Sequence, residues 1–239
     1  MKKDPWFYSV TGALFIVLML IGFRAFWLHG AGNSGRVIEP TIFRLDAVHG
    51  TAIATWFVLF FVQALLIGTR NRRVHFTLGW GAIAVGLTIA FTGSWVAIRS
   101  VQVSPPDLHF FGMLYWRFLS MMLMEIALFT AFVTIGILAR KKPKIHRAAM
   151  LTASLCLLSG ATARIPFFYL IFPPTSWVGL FAPVFCIGAA LLVIRSLLTR
   201  SFDRSFAVTY AALVVLFIAS AELALTDAWS AMAASILKL

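Results

Sequence analysis

The chain is a succession of long apolar runs separated by short polar or basic stretches. No run keeps the strict alternation of a half-buried strand, and all exceed the about 4–8 residues of a buried one. A helix needs about 20 consecutive apolar residues to cross the hydrocarbon core of a bilayer. Seven segments meet that length: 6–28, 48–69, 76–98, 109–139, 147–171, 177–198 and 205–225. The fourth is the longest, which predicts tilt or projection from the membrane. Pro173 and Pro174, followed by Thr175 and Ser176, predict a turn and a capped start for the sixth. No long polar linker interrupts the series. The pattern therefore predicts a single all-α domain over 1–239, a polytopic membrane helical bundle of seven transmembrane helices. The first run follows Met-Lys-Lys but carries no small-residue cleavage site, so it is expected to be a retained helix and not a signal peptide.

Composition supports lipid as the solvent. Hydrophobic residues make up 61% of the chain, with a mean hydropathy of +0.94, against about 45–50% apolar in a soluble domain. The formal net charge of +12 would raise the question of nucleic acid in a soluble protein. Here the basic residues occupy short loops between apolar segments, which excludes nucleic acid as a partner and gives the helices a direction. Lys2, Lys3, Arg70, Arg72, Arg73, Arg140, Lys141, Lys142, Lys144, Arg147, Arg195, Arg200 and Arg204 fall on one side. Arg24, Arg36, Arg44, Arg99 and Lys238 fall on the other. The excess marks the first side as cytoplasmic, giving an N-in, C-out topology. Trp6, Trp27, Trp95 and Trp177 lie near predicted helix ends, as an interfacial aromatic belt requires. An integral protein of a bacterial inner membrane is expected. Cys156 and Cys186 lie inside apolar segments without C-x-x-C spacing and read as inert buried thiols.

The topology sorts four histidines into two layers. His49 and His109 open helices that descend from outside, while His75 and His146 open helices that rise from the basic side. Each pair of helices forms a histidine-led hairpin, 46–98 and 107–171, with a basic turn (RNRRVH, RKKPKIH) at its tip. Two imidazoles facing each other across a bundle are what a six-coordinate haem iron takes. His29 lies in the first outer loop and is expected to be solvated.

The stretches HGTAIATWFVLFFVQALLIGTRNRRVHFTLGW and KPKIHRAAMLTASLCLLSGATARIPF carry a resemblance. Over about residues 46–168 the chain resembles the ascorbate-reducible transmembrane dihaem cytochrome b family. It also resembles a broad group of bacterial membrane proteins of unknown function with a histidine-led hairpin and an HRxxG- or HRxxM-like segment. The cytochrome resemblance implies that His49 pairs with His109 on an outer haem b and His75 with His146 on an inner one. The chain departs from it in having seven predicted helices, not six, and from the second group in offering a histidine at His109. Its inner motifs read HFTLG and HRAAM.

Charges at membrane depth cost about 2.5–3.5 kcal/mol each on insertion scales, so each needs a partner or a task. Arg117, Arg164 and Glu222 share an outer-half depth, and a salt-bridged network linking the fourth, fifth and seventh segments, formed by at least one pair of them, is expected. Alternatively, Arg117 and Arg164 neutralise haem propionates or hold an acidic ligand. Asp46, one turn before His49, is placed to orient that imidazole or to join a metal site. Glu125 lies near the middle of the fourth segment as a proton carrier or a protonated carboxyl. Gln63, Thr92 and Ser94 read as interhelical hydrogen-bonding groups.

No H-E-x-x-H, P-loop or G-x-S-x-G motif occurs. The last segment contains neither a lysine for a retinal Schiff base nor the histidines of a seven-helix zinc hydrolase. Three readings follow. The first is a haem b protein, a membrane oxidoreductase or electron carrier, serving a redox partner or a larger membrane complex. The second is a non-haem membrane protein or assembly factor holding a copper or zinc ion through His49, His109, Asp46 and Glu222. The third, without cofactor, is a transporter or a structural subunit of a membrane complex.

Overall fold

The computed structural model describes residues 6–32 and 39–237. Lys2, Lys3, Arg36 and Lys238, which enter the loop-charge comparison, lie outside those residues. The elements run α1 (Phe7–Gly22), α2 (Arg24–His29), α3 (Pro40–Gly68), α4 (Arg72–Gln102), β1 (His109–Phe110) and β2 (Met113–Leu114). A 3-10 turn over Tyr115–Phe118 leads into α5 (Leu119–Leu138). Then come α6 (Pro143–Cys156), α7 (Ser159–Thr162), α8 (Pro166–Ile171), α9 (Trp177–Thr199), α10 (Arg204–Leu223) and α11 (Asp227–Leu237).

Among the described residues, five helical units are long and apolar enough to cross a membrane: α3, α4, the stretch Tyr115–Leu138, α9 and α10. At 16 residues, α1 spans only about 24 Å, short of a hydrocarbon core of about 30 Å. Large apolar side chains remain uncovered around the bundle, among them Leu170, Trp80 and Leu138 at 82%, 76% and 75% exposure. Soluble monomers rarely leave so much apolar surface open, and lipid is its natural cover.

The bundle is built on neighbours in sequence. α3 packs on α1 and α4, α5 lies between α4 and α6, and α10 leans on both α5 and α6. Helix starts follow the local chemistry. Pro40, Pro143 and Pro166 occupy first-turn positions, where a missing N–H costs nothing. Asn71 and Asp203 accept hydrogen bonds from the backbone N–H groups of Val74 and Phe206 as N-caps.

The structure corrects the predicted segments in three places. α3 begins at Pro40, so Asp46 and His49 sit inside the helix and not at its mouth. The fourth segment does not begin as a helix. His109 and Phe110 pair antiparallel with Leu114 and Met113 across a turn in which Phe111 and Gly112 both have positive φ (44° and 76°). Apolar residues in a tight hairpin look the same to hydropathy as apolar residues in a helix, and Gly112 was the one local signal of a turn.

The fifth segment, expected over 147–171, is broken into α6, α7 and α8. Pro166 holds Ile165 in an extended conformation (φ −98°, ψ 109°), because proline disfavours the helical region for the residue before it. The run from Ala148 to Ala163 is buried except at Met150 and Gly160. Its polar groups have partners: Trp56 Nε1 donates to Ser154 Oγ (3.1 Å), and the Thr152 and Thr209 hydroxyls meet at 2.7 Å. A helix break at membrane depth is tolerated when protein encloses it in this way.

Candidate functional site

The basic ends of the helices bring two histidines together. His75 is the fourth residue of α4 and His146 the fourth of α6. Both backbones make the first i→i−4 bond of their helix, to Asn71 and Lys142. Their side chains then turn back onto the helix before. His75 Nδ1 bonds the Gln63 carbonyl of α3 at 3.2 Å, and His146 Nδ1 bonds the Gly136 carbonyl of α5 at 2.8 Å. A carbonyl only accepts, so each Nδ1 carries the proton and each Nε2 is left with a bare lone pair. Metal-bound histidines are oriented by the same second-nitrogen contact to a backbone carbonyl.

The two ring centroids are 6.4 Å apart and the planes nearly perpendicular, at 81°. With metal–nitrogen bonds of about 2.0–2.1 Å, two imidazoles on opposite sides of one metal place their centroids about 6.4 Å apart, and a tetrahedral pair about 5.2 Å. The spacing is that of a trans pair. Gln63 contributes more than its carbonyl: its Oε1 is buried without a hydrogen-bond partner, and its Nε2 faces the bare backbone of Gly79 one turn beyond His75. An acceptor orphaned among the described residues, on the residue whose carbonyl holds His75, fits a site that takes up a ligand. Gln63 was legible in the sequence only as an interhelical polar group.

In the other half of the bundle, no second histidine ring among the described residues stands against His49. Its Nδ1 lies 3.0 Å from Thr92 Oγ1. The Thr92 hydroxyl donates to the Thr88 carbonyl at 2.6 Å, so the imidazole is the donor and again keeps Nε2 bare. Gly93 makes room for it: a Cβ there would stand 2.8 Å from His49 Cε1 and collide with Ile126. His109, the expected outer partner, is exposed in β1, with its Nδ1 on the Asp107 carbonyl at 2.9 Å. The hairpin at Phe111–Gly112 is the reason, since it replaces the helical start on which that pairing rested.

The expected network of Arg117, Arg164 and Glu222 is not formed. Arg117 Nη1 donates to the Ala224 carbonyl at 3.2 Å and closes the C-terminal end of α10, while Glu222 is exposed. Arg164, in the turn between α7 and α8, donates to the Gly160 carbonyl and lies 4.6 Å over the Phe23 ring. It stands in the field of Asp46, Glu125, Tyr115 and Tyr169. Glu125 accepts from Ser159 Oγ at 2.6 Å and ties α5 to the broken segment. His49, His109, Asp46 and Glu222 are not gathered into one centre. Among the described residues no three His, Cys, Asp or Glu side chains converge as a metal site.

One polar cluster had no counterpart in the sequence reading. Arg195, expected in a basic loop, is buried on α9 against Phe7, Tyr8 and Asp203. No family model, curated protein or solved structure matches the chain.

Proposed function

We propose that this chain is a haem b-binding integral membrane protein that passes electrons within or across the membrane, with His75 and His146 as the two axial ligands. The observation that carries the reading is the pair itself: two imidazoles from different helices, each locked by its Nδ1–H, at the centroid spacing of a trans pair. Haem iron supplies a one-electron couple when bound. The chain's residues fix its surroundings. The Gln63 and Gly136 carbonyls hold the tautomers, and the Gln63 amide faces Gly79, one turn beyond His75. His109 does not enter this reading, because its ring is exposed, and His49 offers one bare nitrogen to the outer half.

The same proposal takes the bundle as seven crossings of a bacterial inner membrane, with the basic ends cytoplasmic. α1 with α2 makes the first crossing, and α6 to α8 together make the fifth. The loop-charge asymmetry and the clustering of basic helix ends around His75 and His146 support it.

The test is expression with added haem precursor, purification in detergent, and oxidised and reduced visible spectra. A Soret band and a reduced α band are expected. Alanine at His75 or at His146 should each abolish them, and His109→Ala should leave them intact. Absence of both bands from the wild-type protein after haem supply would overturn the reading. Bound copper or zinc without haem would transfer it to a metal-ion protein.

A further inference from the structure

At the basic end of the bundle, one residue from the histidine pair, a second cluster is left incomplete. Arg195 on α9 is 6% exposed. Its guanidinium lies over the rings of Phe7 and Tyr8, at 5.3 Å and 5.2 Å from their centroids. Arg147, the neighbour of His146 in α6, lies over the same Tyr8 ring at 5.6 Å. Two guanidinium groups thus converge on one tyrosine from different helices. Among the described residues the opposing charge is one carboxylate: Asp203 Oδ2 is 3.7 Å from Arg195 Nε, beyond hydrogen-bond length. The Asp203 Oδ1 atom already caps α10.

Part of the Arg195 fork is therefore left unsatisfied, beyond its hydrogen bond with Tyr8. Among the described residues, Arg195 Nε and Nη1 are both buried with no acceptor, and the buried hydroxyls of Ser9 on α1 and Ser196 on α9 have none either. Arg147 donates from Nε to the Pro143 carbonyl, at 3.0 Å. A buried charged donor without an acceptor is costly, and a guanidinium fork matches the oxygens of a phosphate. Basic pockets between transmembrane helices on the cytoplasmic side take phospholipid headgroups. We infer that Arg195 and Arg147, stacked on Tyr8 between α1, α6 and α9, form a binding site for a phosphate group, supplied by an anionic phospholipid headgroup or by free phosphate. The site stands independently of the haem reading, because none of its residues ligates or orients either histidine.

The experiment uses the full chain in an uncharged detergent and phosphate-free buffer, with thermal unfolding as the readout. Three probes are titrated: inorganic phosphate, dihexanoyl phosphatidylglycerol, and dihexanoylglycerol, which lacks the phosphate. A saturable rise in Tm with phosphatidylglycerol alone assigns the site to a lipid headgroup, and a rise with inorganic phosphate as well assigns it to free phosphate. Either supports the site. Arg147→Gln should weaken the half-saturating concentration by about tenfold, the loss of one charge-assisted contact. It keeps the test valid where Arg195→Gln does not fold. No response to either phosphate probe, an equal response to dihexanoylglycerol, or an Arg147→Gln response identical to wild type would each overturn the inference.

Discussion

His49, His75, His109 and His146 all use Nδ1 toward a protein oxygen, and only two of them lie against each other. The perpendicular planes of that pair make a spectroscopic prediction. On the haem reading proposed above, crossed imidazole ligands would leave the iron dxz and dyz orbitals nearly degenerate, so the ferric protein should give a strongly anisotropic low-spin EPR signal. A rhombic signal typical of parallel imidazoles would rule out this ring arrangement. A second prediction needs no cofactor. Thr92→Val removes the acceptor that holds His49 in one tautomer. ¹⁵N NMR of labelled protein should show Nδ1-protonated His49 in the wild type and mixed tautomers in the variant; an unchanged spectrum would mean that Thr92 does not set the tautomer. The sequence disclosed which histidines exist and, for the inner pair, that they open successive basic-tipped hairpins. It could not disclose Thr92 or Gly93 as the seat of His49, because that contact depends on the register between α3 and α4, which hydropathy does not carry.

At the scale of elements, the apolar runs located the helices, but local backbone chemistry decided their ends. Pro166 and Gly112 were readable breakers, yet both sat in apolar surroundings that the count of membrane-length runs absorbed into longer segments. The break between α6 and α7 had no comparable signal, since it persists through enclosure by α5, α9 and α10 and through the Ser159–Glu125 bond. Glu125→Ala should therefore lower stability by about 1–3 kcal/mol, the cost of leaving a buried hydroxyl without its acceptor. Glu125→Gln, which keeps an acceptor oxygen, should cost clearly less; equal losses in thermal unfolding would argue that the carboxylate's charge matters more than its bond. The start of α10 offers a parallel case. Asp203→Asn retains the N-cap and removes the charge facing Arg195, while Asp203→Ala removes both. Capping is worth about 0.5–2 kcal/mol, and stripping the partner from a buried charge about 3–5 kcal/mol. Both variants should be destabilised in phosphate-free buffer, Ala more than Asn. A neutral Asp203→Asn would show that the 3.7 Å pair contributes nothing.

For the whole molecule, the proposed direction of the chain rests on loop charge alone, while the contacts at the basic end show which helix ends lie together. His75 touches His146, and Arg195 reaches Phe7 and Tyr8 beside Arg147. The starts of α1, α4 and α6 and the end of α9 therefore share one end of the bundle, as an alternating path requires. That path holds only if the broken α6–α8 segment counts as a full crossing. Its buried first half and exposed Phe167, Leu170 and Ile171 are what a segment needs when it runs from the protein interior out to lipid. Single cysteines in a background with Cys156 and Cys186 replaced would decide it. A cysteine at Ser104, after α4, and one at Thr175, after α8, should react with a membrane-impermeant maleimide in intact cells. One at Ser201, between α9 and α10, should react only after permeabilisation. If Thr175→Cys were protected while Ser201→Cys reacted in intact cells, the α6–α8 segment would re-enter its own side. The chain would then cross six times, and the N-in, C-out assignment would fail together with the outer placement of α11.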